Sequence, residues 1–120
     1  MAAQRPHEKL NVWRESMALA EQVYRICGDL PETEKYGLIS QMQRAAVSIP
    51  SNIAEGAVRG SRKEYIQFLT IARGSLSELD TQLQLSLKIG LIGDVSDIRL
   101  KVDQVFGLLN GLLKSLRQTQ

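Results

Sequence analysis

Between Val95 and Leu116 the apolar residues fall three and four positions apart without interruption: Val95, Ile98, Val102, Val105, Leu109, Leu112 and Leu116. This spacing follows the 3.6-residue turn of an α-helix and conflicts with the two-residue alternation of a strand. A helix so patterned has one apolar side and must bury it against other helices. The constraint extends along the chain. Tyr65, Leu69, Ala72, Leu76, Leu79 and Leu83 form a second, heptad-like seam. Leu38, Met42, Ala45, Ile49, Ile53 and Ala57 form a third stripe. Trp13, Met17, Ala20, Tyr24 and Cys27 form a fourth, widened by Val12, Leu19, Val23 and Ile26.

Turn signals separate the stripes: Leu30-Pro31-Glu32, the stretch from Gly56 to Gly60, and that from Gly90 to Gly93. Helices are expected at about 11–29, 35–59, 61–89 and 94–116, in a domain of residues 11–117 that follows a tail of residues 1–10. Ser61-Arg62-Lys63-Glu64 reads as a capping box, Asp94 as a cap for the last helix, and Gly90 as the end of the third. Pro50 predicts a kink or break in the second, with Ser48 and Ser51 placed to satisfy freed backbone groups. A chain of 120 residues can bury a core without disulfides or metals. The expected fold is therefore all-α, an antiparallel up-down-up-down four-helix bundle.

The apolar content exceeds what one bundle core needs. Ile71, Leu85 and Ile89 point nearly opposite the Leu69–Leu83 seam, and Leu100 lies away from the main seam of the last helix. Several apolar residues on an outer face form a candidate subunit interface, and a cyclic homo-oligomer is the expected assembly, of unspecified order.

Most catalytic and metal chemistries lack their residues. His7 is the only histidine and Cys27 the only cysteine, which excludes a cysteine-rich zinc site, any site that needs two histidines, and a di-iron bundle with paired Glu-x-x-His motifs. Cys27, within an apolar stripe, reads as a small core residue. There is no P-loop, no Gly-x-Gly-x-x-Gly and no Gly-x-Ser-x-Gly. The expectation is a protein with no catalytic residues, no metal and no cofactor. No apolar run approaches the roughly 20 residues of a membrane span. The first nine residues carry no apolar signal core, so the expected compartment is the cytoplasm.

Charge is uneven beneath a net +2: residues 41–75 carry +3, residues 76–97 carry −3 and residues 98–120 carry +3. Arg44, Arg59, Arg62, Lys63 and Arg73 make the middle segment basic. They are the candidate contacts to a polyanion, against the alternative of a solvated surface with internal ion pairs. Arg44, Ser48, Asn52, Glu55 and Arg59 form a polar stripe on helix two, and Arg73, Ser77, Asp80 and Gln84 form another on helix three. Ser75, Glu78 and Gln82 flank the leucine seam of helix three on its other side. Both a solvent-facing surface and an internal hydrogen-bonded network fit these stripes. Glu55 and Arg59 are spaced for an i,i+4 pair, which would hold Arg59 away from phosphate.

The run from Ser40 to Gly56, SQMQRAAVSIPSNIAEG, resembles the signature of a family of four-helix-bundle proteins encoded by intervening sequences in bacterial 23S ribosomal RNA genes. Leu10-Asn11-Val12-Trp13, the stretch Pro31 to Leu38, and the stretch Phe68 to Leu79 fit the same pattern, so the resemblance spans about residues 8–92. It implies a left-handed antiparallel bundle that assembles as a homopentamer around a channel, similar to the accessory proteins of diversity-generating retroelements. Those proteins associate with a reverse transcriptase and bind nucleic acid through basic surfaces. No enzymatic activity is established for the family, an uncharacterised one in function. Arg44, Ser48, Asn52, Glu55, Gly56, Arg59, Arg73, Ser75 and Glu78 match its motif positions. The resemblance implies that most of these hold the bundle or subunit contacts. The net charge of +2 departs from a strongly basic sleeve. The leading expectation is a non-catalytic oligomer that binds structured RNA or DNA, alone or with a protein partner. The alternative is a structural or protein-interaction module with no nucleic-acid role.

Overall fold

A computed structural model describes residues 4–34 and 36–118. Among the described residues there are four α-helices and no strand: α1 (Asn11–Cys27), α2 (Leu38–Ala57), α3 (Arg62–Lys88) and α4 (Ser96–Gln118). Helix α1 packs on α2 and α4, and α3 packs on the same two, so the four close around one core. The 27 residues of α3 reach about 41 Å at 1.5 Å per residue, which accounts for most of the 47 Å long axis. No helix is long and apolar enough to cross a membrane among the described residues.

The helix ends follow local chemistry. Helix α1 stops at Cys27 because the next residues close in tighter turns: Asp29 N–H donates to Ile26 O and Leu30 N–H to Cys27 O, both at 3.2 Å. Pro31 then offers no N–H to continue. Lys35, expected to open the second helix, lies outside the described residues. Helix α2 ends at Ala57, where Arg59 N–H reaches back only three residues to Gly56 O. At the start of α3 the Glu64 N–H donates to Ser61 Oγ at 3.1 Å, and the Ser61 hydroxyl reaches Glu64 Oε1 at 3.1 Å. The box thus closes through the serine hydroxyl. Gly90, with φ of 76°, ends α3. Leu91 N–H donates to Ser86 O and Gly90 N–H to Leu87 O, the two bonds of a Schellman motif. Asp94 Oδ1 accepts from the N–H and the hydroxyl of Ser96 at the start of α4. These two bonds hold the Asp94 carboxyl below the usual carboxylate range.

Two expectations need correction. The break at Pro50 does not occur, because α2 runs through it as one helix. Ser51 Oγ donates to Val47 O at 2.7 Å and Asn52 Nδ2 to Ser48 O at 2.8 Å. These side chains serve carbonyls in the turn that the proline crowds. Within the expected tail, residues 6–9 are structured. Pro6–Lys9 form a 3-10 turn against α1 and α2. His7 lies edge-on to Trp13 at 4.9 Å, and Arg14 Nη1 donates to Glu8 O at 2.9 Å.

The core takes Val12, Leu19, Val23 and Cys27 from α1, Met42, Ile49 and Ile53 from α2, Leu69, Leu76, Leu79 and Leu83 from α3, and Val102, Val105, Leu109 and Leu113 from α4. Each fully buried Leu or Ile contributes about 1.5–3 kcal/mol through area removed from water. Helix α1 is rotated relative to the expected stripe. Met17 and Tyr24 face out, 45% and 49% exposed, while Ser16 faces in. The Ser16 hydroxyl is satisfied by donating to Trp13 O at 2.8 Å. In α4 the core position passes from Leu112 to Leu113. A straight helix drifts by about 20° per heptad from a strict seven-residue repeat, so the last turns present the next residue. Burial pushes the Cys27 thiol above its ordinary pKa, which suits an inert core residue.

Candidate functional site

Helices α2 and α3 approach closely at Gly56. A Cβ there would lie 2.9 Å from Phe68 Cβ and 3.1 Å from Tyr65 Cδ1, so only a hydrogen fits. Burial at this contact pushes the Tyr65 phenol pKa up. Farther along the pair the facing residues are small. Ala45, Ser48 and Ser75 leave a groove of about 440 Å³, lined also by Gln41, Arg44 and Glu78. The two serines are half-buried at its floor, and Gln41, Arg44 and Glu78 are exposed at its rim.

On the floor Ser48 Oγ and Ser75 Oγ lie 2.8 Å apart, joining the two helices. Asn52 Nδ2 donates to Ser48 Oγ at 3.0 Å. Glu78 accepts from Gln82 Nε2 at 3.4 Å, one turn further along α3. Ser48, Asn52 and Ser75 therefore form a network between helices rather than a plain solvent face. Glu55 does not join it, because its carboxylate pairs with Arg59 at 3.1 Å on the exposed side. Gln41 belongs to the groove although sequence reading passed over it. Its spacing of three and seven from Arg44 and Ser48 placed it on the same stripe.

The five candidate cations divide. Arg59 lies 3.1 Å from Glu55, 3.9 Å from Glu64 and 4.8 Å above the Phe68 ring. Arg73 Nη1 donates to Asn110 Oδ1 of α4 at 3.0 Å. Both are engaged by the fold. Arg44, Arg62 and Lys63 are exposed and form no ion pair among the described residues. Arg62 and Lys63 occupy the first turn of α3, and Arg44 the rim of the groove. No group of three or more His, Cys, Asp or Glu that could hold a metal ion occurs among the described residues.

Ile71 and Leu85 of α3, Ile89 just past its last residue, and Leu100 of α4 are all exposed, Leu100 by 68%. A second apolar surface escaped sequence reading. Met17, Ala20, Val47, Pro50 and Ala54 line a cleft of about 390 Å³ between α1 and α2, together with His7, Trp13 and Ser51. The signal was the unusual width of the apolar stripe on α1. Part of it, Met17 and Tyr24, had no place in a core already filled by Leu19 and Val23.

Four helices around one core, with a polar network set between two of them, define an all-α four-helix protein. The model of the 23S rRNA-intervening sequence protein family matches residues 8–111, and the chain belongs to that family. A protein of unknown function from the S23 ribosomal protein family of Bacteroides thetaiotaomicron has a similar crystal structure, with a TM-score of 0.80 at 24% identity. The match covers 86% of this chain and 95% of that one, and it shows a shared fold. Among curated proteins none matches this chain.

Proposed function

We propose that this chain is a non-catalytic four-helix bundle of up-down-up-down topology that assembles into a cyclic homo-oligomer. In the cytoplasm it would hold structured RNA or DNA on the cations that open α3. The observation that carries the nucleic-acid reading is the placement of Arg62 and Lys63. Cations in the first turn of a helix oppose its dipole by about 0.3–1 kcal/mol each. These two have no carboxylate partner among the described residues to offset that. An incoming phosphate would meet both cations at the start of the helix, where the Glu64 carboxylate of the same turn is set toward Arg59 at 3.9 Å. Repetition around a ring would multiply such weak contacts.

Two observations support the assembly. Exposed apolar residues lie on two different surfaces, the α1–α2 cleft and the outer side of α3. Unlike patches that meet head to tail close into a ring when the rotation allows. The topology is supported by pairing order. Gly56, Ser48 and Met42 of α2 meet Phe68, Ser75 and Ser86 of α3 in turn.

The test compares two variants by fluorescence anisotropy of a labelled RNA hairpin. Arg62→Glu with Lys63→Glu should weaken binding by tenfold or more, and Arg59→Gln should change it little. Equal affinity in the double variant would reject this surface. A second reading, a protein-interaction module, is favoured by the engagement of Arg59 and Arg73 within the fold. On that reading the α1–α2 cleft would carry the contact, and Met17→Asp would abolish capture of the partner while nucleic-acid binding stays absent.

A further inference from the structure

We propose that the groove between α2 and α3 binds a small zwitterion, a molecule with the carboxylate and ammonium of a free amino acid or dipeptide, between Arg44 and Glu78. The argument begins with a count of protons. An amide N–H can only donate, so Asn52 Nδ2 fixes Ser48 Oγ as an acceptor. The Ser48–Ser75 contact at 2.8 Å consumes one hydroxyl proton, from whichever serine donates. The other hydroxyl proton has no acceptor among the described residues. Ser51, Thr70, Thr81 and Ser86 of the same two helices bond back to the preceding turn, whereas neither Ser48 nor Ser75 does. One donor therefore remains at the floor of the groove that Ser48 and Ser75 both line.

The rim adds the charges. Arg44 presents a planar set of donors with no ion-pair partner among the described residues, suited to a carboxylate. Glu78 lines the same groove and is not paired with Arg44. Among the described residues its partner is Gln82 Nε2 at 3.4 Å, which leaves its carboxylate able to accept from an ammonium. A phosphate backbone would be attracted by Arg44 and repelled by Glu78, so this groove is distinct from the Arg62–Lys63 surface. A ligand with both charges satisfies each side at once. The volume of about 440 Å³ accommodates a molecule of this size, and the small side chains of Ala45, Ser48 and Ser75 create it.

The test is a two-dimensional ¹H–¹⁵N NMR titration of the full chain. The probes are pools of free amino acids, then glycylglycine, then its N-acetylated and C-amidated forms, each to millimolar concentration. A fitting zwitterion should shift the amide signals of Ser48, Ser75 and Glu78 saturably. Free amino acids and the dipeptide separate the two sources of the ligand. Blocking either charged end should weaken binding about tenfold or more, the factor carried by one charge-assisted hydrogen bond. Arg44→Gln and Glu78→Gln should each do the same, and Ser75→Ala should weaken binding severalfold, with helicity unchanged in all three. The proposal is overturned if no probe shifts these signals, or if blocked and free forms bind alike. It is also overturned if the Arg44 and Glu78 variants lower the oligomer mass while no probe binds, which would make the groove a subunit contact.

Discussion

Replacing Gly56 by alanine tests how closely α2 and α3 must approach. Two effects oppose each other. Alanine within a helix is favoured over glycine by about 0.5–1 kcal/mol through backbone entropy. Against this, the new methyl would sit 2.9 Å from Phe68 Cβ and 3.1 Å from Tyr65 Cδ1. Phe68 Cβ is bonded directly to the α3 backbone, so it cannot move aside by rotating a side chain. The helices must separate, and overpacking of this kind costs about 1–3 kcal/mol. The net expectation is a loss of about 1 kcal/mol, within a span of roughly 0–2.5 kcal/mol, or roughly 4 °C in the melting midpoint for a domain of this size. Gly107→Ala is the internal control. Gly107 lies within α4, is exposed, and has nothing within 4 Å of a new Cβ, so that variant should gain about 0.5–1 kcal/mol. Urea denaturation followed by circular dichroism reads both. If Gly56→Ala melts at or above the wild-type midpoint, the close contact of α2 and α3 is not what keeps glycine at this position.

Further predictions follow from the caps and the outer surfaces. Ser61→Ala should destabilise the chain by about 1 kcal/mol, since Ser61 Oγ accepts the Glu64 N–H; chemical denaturation measures it. The Asp94 carboxyl is held low by the Ser96 hydroxyl and N–H. Its contribution is therefore present above the ordinary carboxylate pKa and lost as pH falls through the lower folded value. Asp94→Asn keeps a capping side chain without the titration and should flatten that part of the acid limb, while a wild-type pH profile in this variant would contradict the assignment. Met17→Asp or Ile71→Asp should lower the mass measured by light scattering while leaving helicity intact, and an unchanged mass in both would remove these faces from the assembly.

Much of the fold was legible because the apolar spacing is a backbone property. Leu69, Leu76, Leu79 and Leu83 in α3, and Val102, Val105 and Leu109 in α4, lie in the core where their spacing placed them. The capping residue Ser61 and the glycine stop at Gly90 were legible for the same reason, since each acts on groups within a few residues. The rotation of α1 was not. Its apolar stripe spans enough of the helix that Met17 and Leu19 both qualify, and only packing against α2 and α4 selects Leu19. Continuity through Pro50 also escaped, because one missing N–H does not decide whether a helix stops, and α2 runs on with Ile49, Pro50 and Ile53 all buried. The site was legible as stripes but not as partners. Spacing put Arg44 and Ser48 on one side of α2, yet the pairing of Ser48 with Ser75, 27 residues away, and of Arg73 with Asn110 arises only when the helices pack.

The most direct measurement of the proposed function is the binding of a labelled RNA hairpin to the purified protein over a series of salt concentrations, read by fluorescence anisotropy. Each phosphate neutralised adds roughly 0.7–0.9 to the slope of log affinity against log salt. The account predicts binding that weakens steeply with salt, and a shallower slope when Arg62 and Lys63 are both changed to glutamate. Absence of binding at low salt, or a slope indifferent to that double change, would contradict it.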